Sequence, residues 1–255
     1  MCAGRSGESP LPYEEAGSGP PVLLVHGLLS APSLWNGVAA LLAERFRVIR
    51  CDLRRHSGPR PGHGLAESRT NGLLTLIERL DLPPVHLVAH GSGCPTVTAL
   101  ASRTRERVRT VAVVDPVVPR SDSAPAIQAA WHLENLLQWL AVAYGSAVRA
   151  PQHVAAIAAV VAQQTHASLC EPAPGVFPPG DFAGGDMGGL HGISCPVLAL
   201  TGEHSSTESK AMVAKLFGGL PALRWAEVPG SGRHSPREAP AATALLLQQF
   251  LTANG

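Results

Sequence analysis

The chemistry of this chain turns on the run Val85-His86-Leu87-Val88-Ala89-His90-Gly91-Ser92-Gly93-Cys94. It reads as a strand entering the sharp strand-to-helix turn that holds up a nucleophile. Such a turn needs small residues two before and two after the attacking position, because the backbone reverses there and neighbouring Cβ atoms would collide. Ala89 and Gly93 meet that requirement around Gly91. The attacking position is therefore a glycine, which has no side chain to attack with.

Other reactive residue types give weaker patterns. The five cysteines, Cys2, Cys51, Cys94, Cys170 and Cys195, are odd in number and widely spaced, so neither a disulfide framework nor a zinc site is expected. Cys94, just past the turn, reads as a buried, inert thiol. Asp181, Asp186 and His191 fall in a Gly-rich stretch without ligand spacing. No metal and no cofactor is implied. The 255 residues carry a formal net charge of +1 with no Lys/Arg stripe, which argues against nucleic acid and anionic membranes as partners. Residues 1–7 lack the apolar stretch of a secretory signal, no segment has the length of a membrane span, and a cytoplasmic protein is expected. Lysine occurs only at Lys210 and Lys215, an arginine bias typical of GC-rich bacterial genomes.

The elements that must position the turn follow from hydrophobic patterning. Short apolar runs at Val22–Val25, Arg47–Cys51, Val85–Val88, Val108–Val114, Val197–Leu200 and Leu223–Val228 read as buried strands. Helical spacing appears at Ser33–Glu44, with Leu34, Val38, Leu41 and Leu42 on one face, at Asn71–Leu80, at Pro95–Arg103 and at Ala241–Leu251. Pro95 is tolerated because the first helical turn needs no amide donor. Alternating strands and helices imply a doubly wound, mostly parallel sheet with its ligands at the carboxyl ends of the strands. His26, Gly91, Asp115, Gly202 and Pro229 all follow strands and converge on that edge. Residues 117–192 break the alternation with Ala-rich helical segments and a Pro/Gly-rich loop, and read as a helical cap inserted into a core formed by 1–116 and 193–255. Trp131, Trp139 and His132 would face either the cap's own core or the pocket.

With these elements in place, the chain resembles the α/β-hydrolase superfamily. The resemblance rests on Pro21–Gly27, Asp52-Leu53-Arg54, Ala89–Gly93, Glu106–Arg109 with Val114-Asp115-Pro116, Gly202-Glu203, and Val228–Gly232 with Glu238-Ala239-Pro240. It implies that fold with an inserted cap and a triad of nucleophile, histidine and carboxylate. The triad is degenerate here. Gly91 stands at the nucleophile, Ser205 stands where the acid often lies, and ungapped alignment puts Arg233 at the histidine, with His234 one residue late. The resemblance also implies an oxyanion hole from the backbone amides of Leu28 and Ser92, an alternative acid at Asp115, and structural roles for His26, His90 and Asp52. Asp115 and His234 would form an acid/base pair. Glu203 and His204 would line the pocket or face solvent.

Three functions follow. The leading one is an atypical enzyme of bacterial secondary metabolism acting on an ester- or amide-bearing small molecule or peptide. It would use the oxyanion hole and His234 for epimerisation, elimination or cyclisation without an acyl-enzyme. The second is an ester hydrolase with Ser92 as displaced nucleophile, and the third a non-catalytic ligand-binding protein. The residues leave all three open.

Overall fold

The computed structural model describes residues 11–27, 30–53, 65–116, 190–220 and 222–255. Two units divide the chain, Met1–Val118 with Asp186–Gly255, and Pro119–Gly185. The second unit, and with it nearly all of the expected cap and Trp131, His132 and Trp139, lies outside the described residues. So do Cys2, Cys170, Asp181 and Asp186.

Seven strands form one sheet: β1 (Tyr13–Ala16), β2 (Pro21–Val25), β3 (Arg47–Cys51), β4 (Val85–His90), β5 (Val108–Val114), β6 (Val197–Gly202) and β7 (Leu223–Val228). Their spatial order is β1-β3-β2-β4-β5-β6-β7. All neighbours pair in parallel except β1, which runs antiparallel to β3 with Tyr13 opposite Cys51. The central strands β2 and β4 are buried at every position. A strand covered on both faces has no reason to alternate apolar with polar residues, which is why these read as continuous apolar runs.

Each face of the sheet has its own core. Leu23, Val25, Leu87, Ala89, Val111 and Val113 point to one side, under α2 (Leu65–Arg79), α3 (Cys94–Arg103) and α4 (Thr207–Phe217). Val22, Leu24, Val88, Ala112, Val114 and Leu200 point to the other, under α1 (Asn36–Leu42) and, after the one-turn helix α5 (Ser235–Glu238), α6 (Pro240–Ala253). The period-two alternation along each strand sends successive side chains into opposite cores.

Three sequence expectations need correcting. Strand β1 carried no apolar signal because Tyr-Glu-Glu-Ala buries nothing; main-chain pairing to β3 holds it at the edge, with Glu15 bridged to Arg47 at 2.6 Å and Glu14 to Arg50 at 2.5 Å. Leu41 does not share a face with Leu34, Val38 and Leu42, and is 41% exposed. The buried stripe follows 34, 35, 38, 39 and 42, and at about 100° per residue Leu41 lies roughly a quarter-turn from its centre, just past its margin. Helix α2 begins at Leu65 rather than near Asn71, because the polar Ser68 and Thr70 extend its buried face. Pro95 sits in the first turn of α3, and the last helix runs slightly beyond its expected bounds at both ends.

Among the described residues no helix is long and apolar enough to cross a membrane. Cys51, Cys94 and Cys195 are free thiols, and burial pushes the first of them up to about 12 and Cys94 higher still.

Candidate active site

The register of the sheet brings the ends of its central strands to one edge, with Val25 beside both Cys51 and Ala89, His90 beside Val114, and Gly202 beside Val228. Beyond β4 the chain leaves His90 in extended conformation (φ −116°, ψ 141°) and passes through Gly91 at φ +57° into the turn Gly91–Gly93 that starts α3. This left-handed conformation is costly for any residue with a Cβ, so glycine relieves strain there. The glycines of the turn differ in what surrounds them. A Cβ on Gly93 would lie 2.7 Å from the carbonyl oxygen of His26, and one on Gly27 2.9 Å from that of His90. A Cβ on Gly91 meets no described atom within 4 Å. Sterics therefore demand Gly93 and Gly27, whereas at Gly91 no described atom stands where a nucleophilic side chain would project.

Ser92, 8% exposed, follows in the same turn. Its Oγ lies 3.5 Å from where a Gly27 Cβ would be, so the hydroxyl leans toward the loop after β2. The Ser92 amide is part of the turn; Leu28, the other expected oxyanion donor, lies outside the described residues.

The loop after β7 lays His234 against the elbow. The His234 ring stacks on His90 with centroids 5.5 Å apart at 31°. Arg233 contributes its carbonyl oxygen, which accepts a hydrogen bond of 2.8 Å from His90 Nε2. That bond fixes the His90 tautomer: Nε2 carries the proton, and the buried Nδ1 has no partner among the described residues. Nε2 of His234 is likewise buried without a hydrogen-bond partner, Ser92 included. Burial first, then the neighbouring His90 and Arg233, pushes His234 down to about 3. Burial also pushes His90 down to about 4. Both rings are neutral at neutral pH.

Asp115 sits just past β5 in a left-handed conformation (φ 44°) and is 5% exposed. Its Oδ1 accepts from the Gly202 amide at 2.9 Å and from Ser205 Oγ at 3.1 Å, and its Oδ2 from Ser235 Oγ at 2.6 Å. Burial raises its pKa, while Ser235, Gly202 and Ser205 oppose that shift. The expected Asp115 and His234 lie close together but share no hydrogen bond; the carboxylate holds the residue after the histidine. Ser205, at the usual acid position, donates to this same carboxylate. Sequence reasoning missed Ser235, since nothing about a serine after a histidine marks a contact across 120 positions.

The remaining polar residues brace loops. His26 donates from Nδ1 to the Gly27 carbonyl at 2.8 Å and accepts from the Leu53 amide at 3.0 Å through Nε2. Asp52 Oδ1 stands 3.5 Å from that Nε2, which is not a salt bridge because burial keeps His26 neutral. Glu203 is exposed and accepts from the Gly230 amide at 2.8 Å, and His204 is exposed beside it. No cluster of three metal-ligating side chains occurs among the described residues.

A parallel sheet in this strand order, with a nucleophile turn after the central strand and a histidine loop after the last, defines an α/β-hydrolase fold. Residues 22–244 match the alpha/beta hydrolase family, and the chain belongs to it. It is 25% identical over 267 residues to the 2-(acetamidomethylene)succinate hydrolase of Mesorhizobium japonicum, covering 97% of this chain and 93% of that one. A segment covering 32% of the chain is 43% identical, over 84 residues, to an uncharacterized protein of Mycobacterium tuberculosis. The match spans only 24% of that longer relative's length. Among solved structures, naproxen esterase from Bacillus subtilis superposes with a TM-score of 0.67 at 20% identity, covering 94% of this chain and 86% of that one. At that identity the likeness speaks for the fold alone.

Proposed function

We propose that the protein is an enzyme acting on an ester- or amide-bearing small molecule or peptide by oxyanion and acid/base chemistry, with no acyl-serine intermediate. The observation that carries this reading is the elbow itself: an open position at Gly91 beside a neutral His234 whose buried Nε2 has no partner among the described residues. A substrate carbonyl would take the Ser92 amide and the expected Leu28 amide as donors, which stabilise negative charge on its oxygen. His234 would accept the α-proton. An imidazole held this far down is a weak base in the empty site, and it takes a proton only when negative charge develops beside it. Enolate formation at the elbow supplies that charge. Epimerisation, elimination or cyclisation would follow according to what the α-carbon carries, chemistry that suits bacterial secondary metabolism. The hydrolase of Mesorhizobium japonicum is named for an amide-bearing succinate, which supports the substrate class.

The test combines two measurements on the purified protein. In deuterated solvent, a panel of N-acyl amino acid esters and amides is followed by proton NMR for loss of the α-hydrogen signal, expected with wild type and abolished in His234→Ala. In parallel, a fluorophosphonate probe is applied to wild type and Ser92→Ala, with no adduct expected on either. An adduct at Ser92 that disappears in the alanine variant would replace this reading with that of a hydrolase using a displaced serine, as the hydrolase names among the relatives favour. Ligand binding with neither exchange nor adduct would leave the non-catalytic reading.

A further inference from the structure

We infer that Ser235 is a positioning residue for His234, carrying the hold of the Asp115 carboxylate to the histidine loop through the backbone. The inference rests on His234 being the working base at the elbow.

In the usual arrangement a carboxylate fixes the histidine by a hydrogen bond to its ring. Here the Asp115 carboxyl makes no hydrogen bond to the His234 ring and is engaged by Gly202, Ser205 and Ser235 instead. The backbone around the ring is secured at each successive residue. The Arg233 carbonyl is gripped by His90 Nε2 at 2.8 Å, and the His234 carbonyl accepts from the amides of Arg237 at 2.8 Å and Glu238 at 2.9 Å. Ser235, fully buried, donates to Asp115 Oδ2 at 2.6 Å while its carbonyl accepts from the Ala239 amide at 3.0 Å. The Ser235 hydroxyl also lies 3.1 Å from the Gly232 carbonyl, but it has one proton. The shorter of the two bonds is the stronger claim on it.

Two hydroxyls thus meet one carboxylate from different sides. Ser205 comes from the loop after β6 and is 3.1 Å from Oδ1, whereas Ser235 is covalently next to the histidine. Only the second can set where the imidazole stands relative to Gly91. Misplacing a catalytic group by about 1 Å can cost on the order of 100-fold in rate, so a backbone anchor of this kind matters even without touching the ring.

The experiment uses the full chain labelled with 13C- and 15N-histidine, the His234 ring signals being assigned by their disappearance in His234→Gln. The readouts are the ring-proton shifts of His234 and the cross-peak between the His90 and His234 rings. In Ser235→Ala the cross-peak is expected to fall at least twofold with a shift of the His234 ring signals; in Ser205→Ala both stay as in wild type. A folded Ser235→Ala protein with unchanged His234 signals would overturn the inference, as would equal changes in the two variants. If Ser235→Ala does not fold, Ser235→Cys, which keeps the size and weakens the donor, has to show the same one-sided pattern against Ser205→Ala. A failure of the functional reading registers separately, as deuterium exchange that survives in His234→Ala.

Discussion

Two polar regions lie side by side at the carboxyl edge of this sheet, and they are built on opposite terms. Around Asp115 every group is engaged: a carboxylate with three donors, two serines and a backbone amide, all buried. Around Gly91 the terms differ, with no described atom within 4 Å of a Cβ at the glycine and buried ring nitrogens on His90 and His234 that no described residue satisfies. An unsatisfied buried polar atom costs about 1–3 kcal/mol, so a fold tolerates such atoms where something else gains by them. The satisfied cluster is scaffold. The open one is where a ligand would recover the cost.

The comparison predicts different responses to perturbation. The largest effect is expected from acid. His86, fully buried, is pushed down to about 4 by burial, as is His90, and His234 lies lower still. These histidines gain protons near pH 6.5 in the unfolded chain but only near pH 4 or below in the folded one, so below 6.5 the unfolded state binds more protons. Stability is therefore full above about pH 6.5 and declines as pH falls toward 4. After discounting the half-buried His234 for solvent screening, the loss is on the order of 5 kcal/mol. Urea melts at pH 7.5 and 4.5 check it, and superposable curves would sink it. Elbow and scaffold would then be distinguished by Asp115→Ala, which strands the Gly202 amide and the Ser205 and Ser235 hydroxyls. It is expected to cost about 4 kcal/mol, against about 1 kcal/mol for Ser92→Ala, which removes a single hydroxyl. Thermal melts decide between them, and similar losses would erase the contrast.

Smaller, but sharper, is a comparison within the turn. Gly93→Ala forces a Cβ against the His26 carbonyl and is expected to cost about 3 kcal/mol. Gly91→Ser pays only the left-handed backbone, about 1 kcal/mol, because its side chain meets open space. The same serine should gain an adduct with a fluorophosphonate probe that wild type lacks. A Gly91→Ser protein that melts like Gly93→Ala would mean the elbow is closed.

The buried parallel strands were legible because continuous apolar runs are what such strands are made of, and the Ala89/Gly93 frame made the tight turn at Gly91 legible too. The edge strand β1 was not, since its order comes from its neighbour's backbone and two ion pairs rather than from its own residues. At the site, ungapped spacing put Arg233 at the histidine position with His234 one residue late, and the packing of the His234 ring on His90 is a contact that spacing alone does not encode. Ser205 was noticed only as a missing acid and Ser235 not at all. Their meaning depends on Asp115, far away in the chain, and no local pattern encodes a hydrogen bond between residues 115 and 235.

That bond also orders events in time. Residues 11–116 complete five of the seven strands, yet β5 has an unpaired edge until Val197–Gly202 is made and placed beside it. During synthesis the amino-terminal part of the sheet must wait, with the three donors to Asp115 still unmade, until the last quarter of the chain leaves the ribosome. A nascent chain arrested before Val197 would expose that edge, and chains truncated there are expected to aggregate while the 255-residue polypeptide stays dispersed.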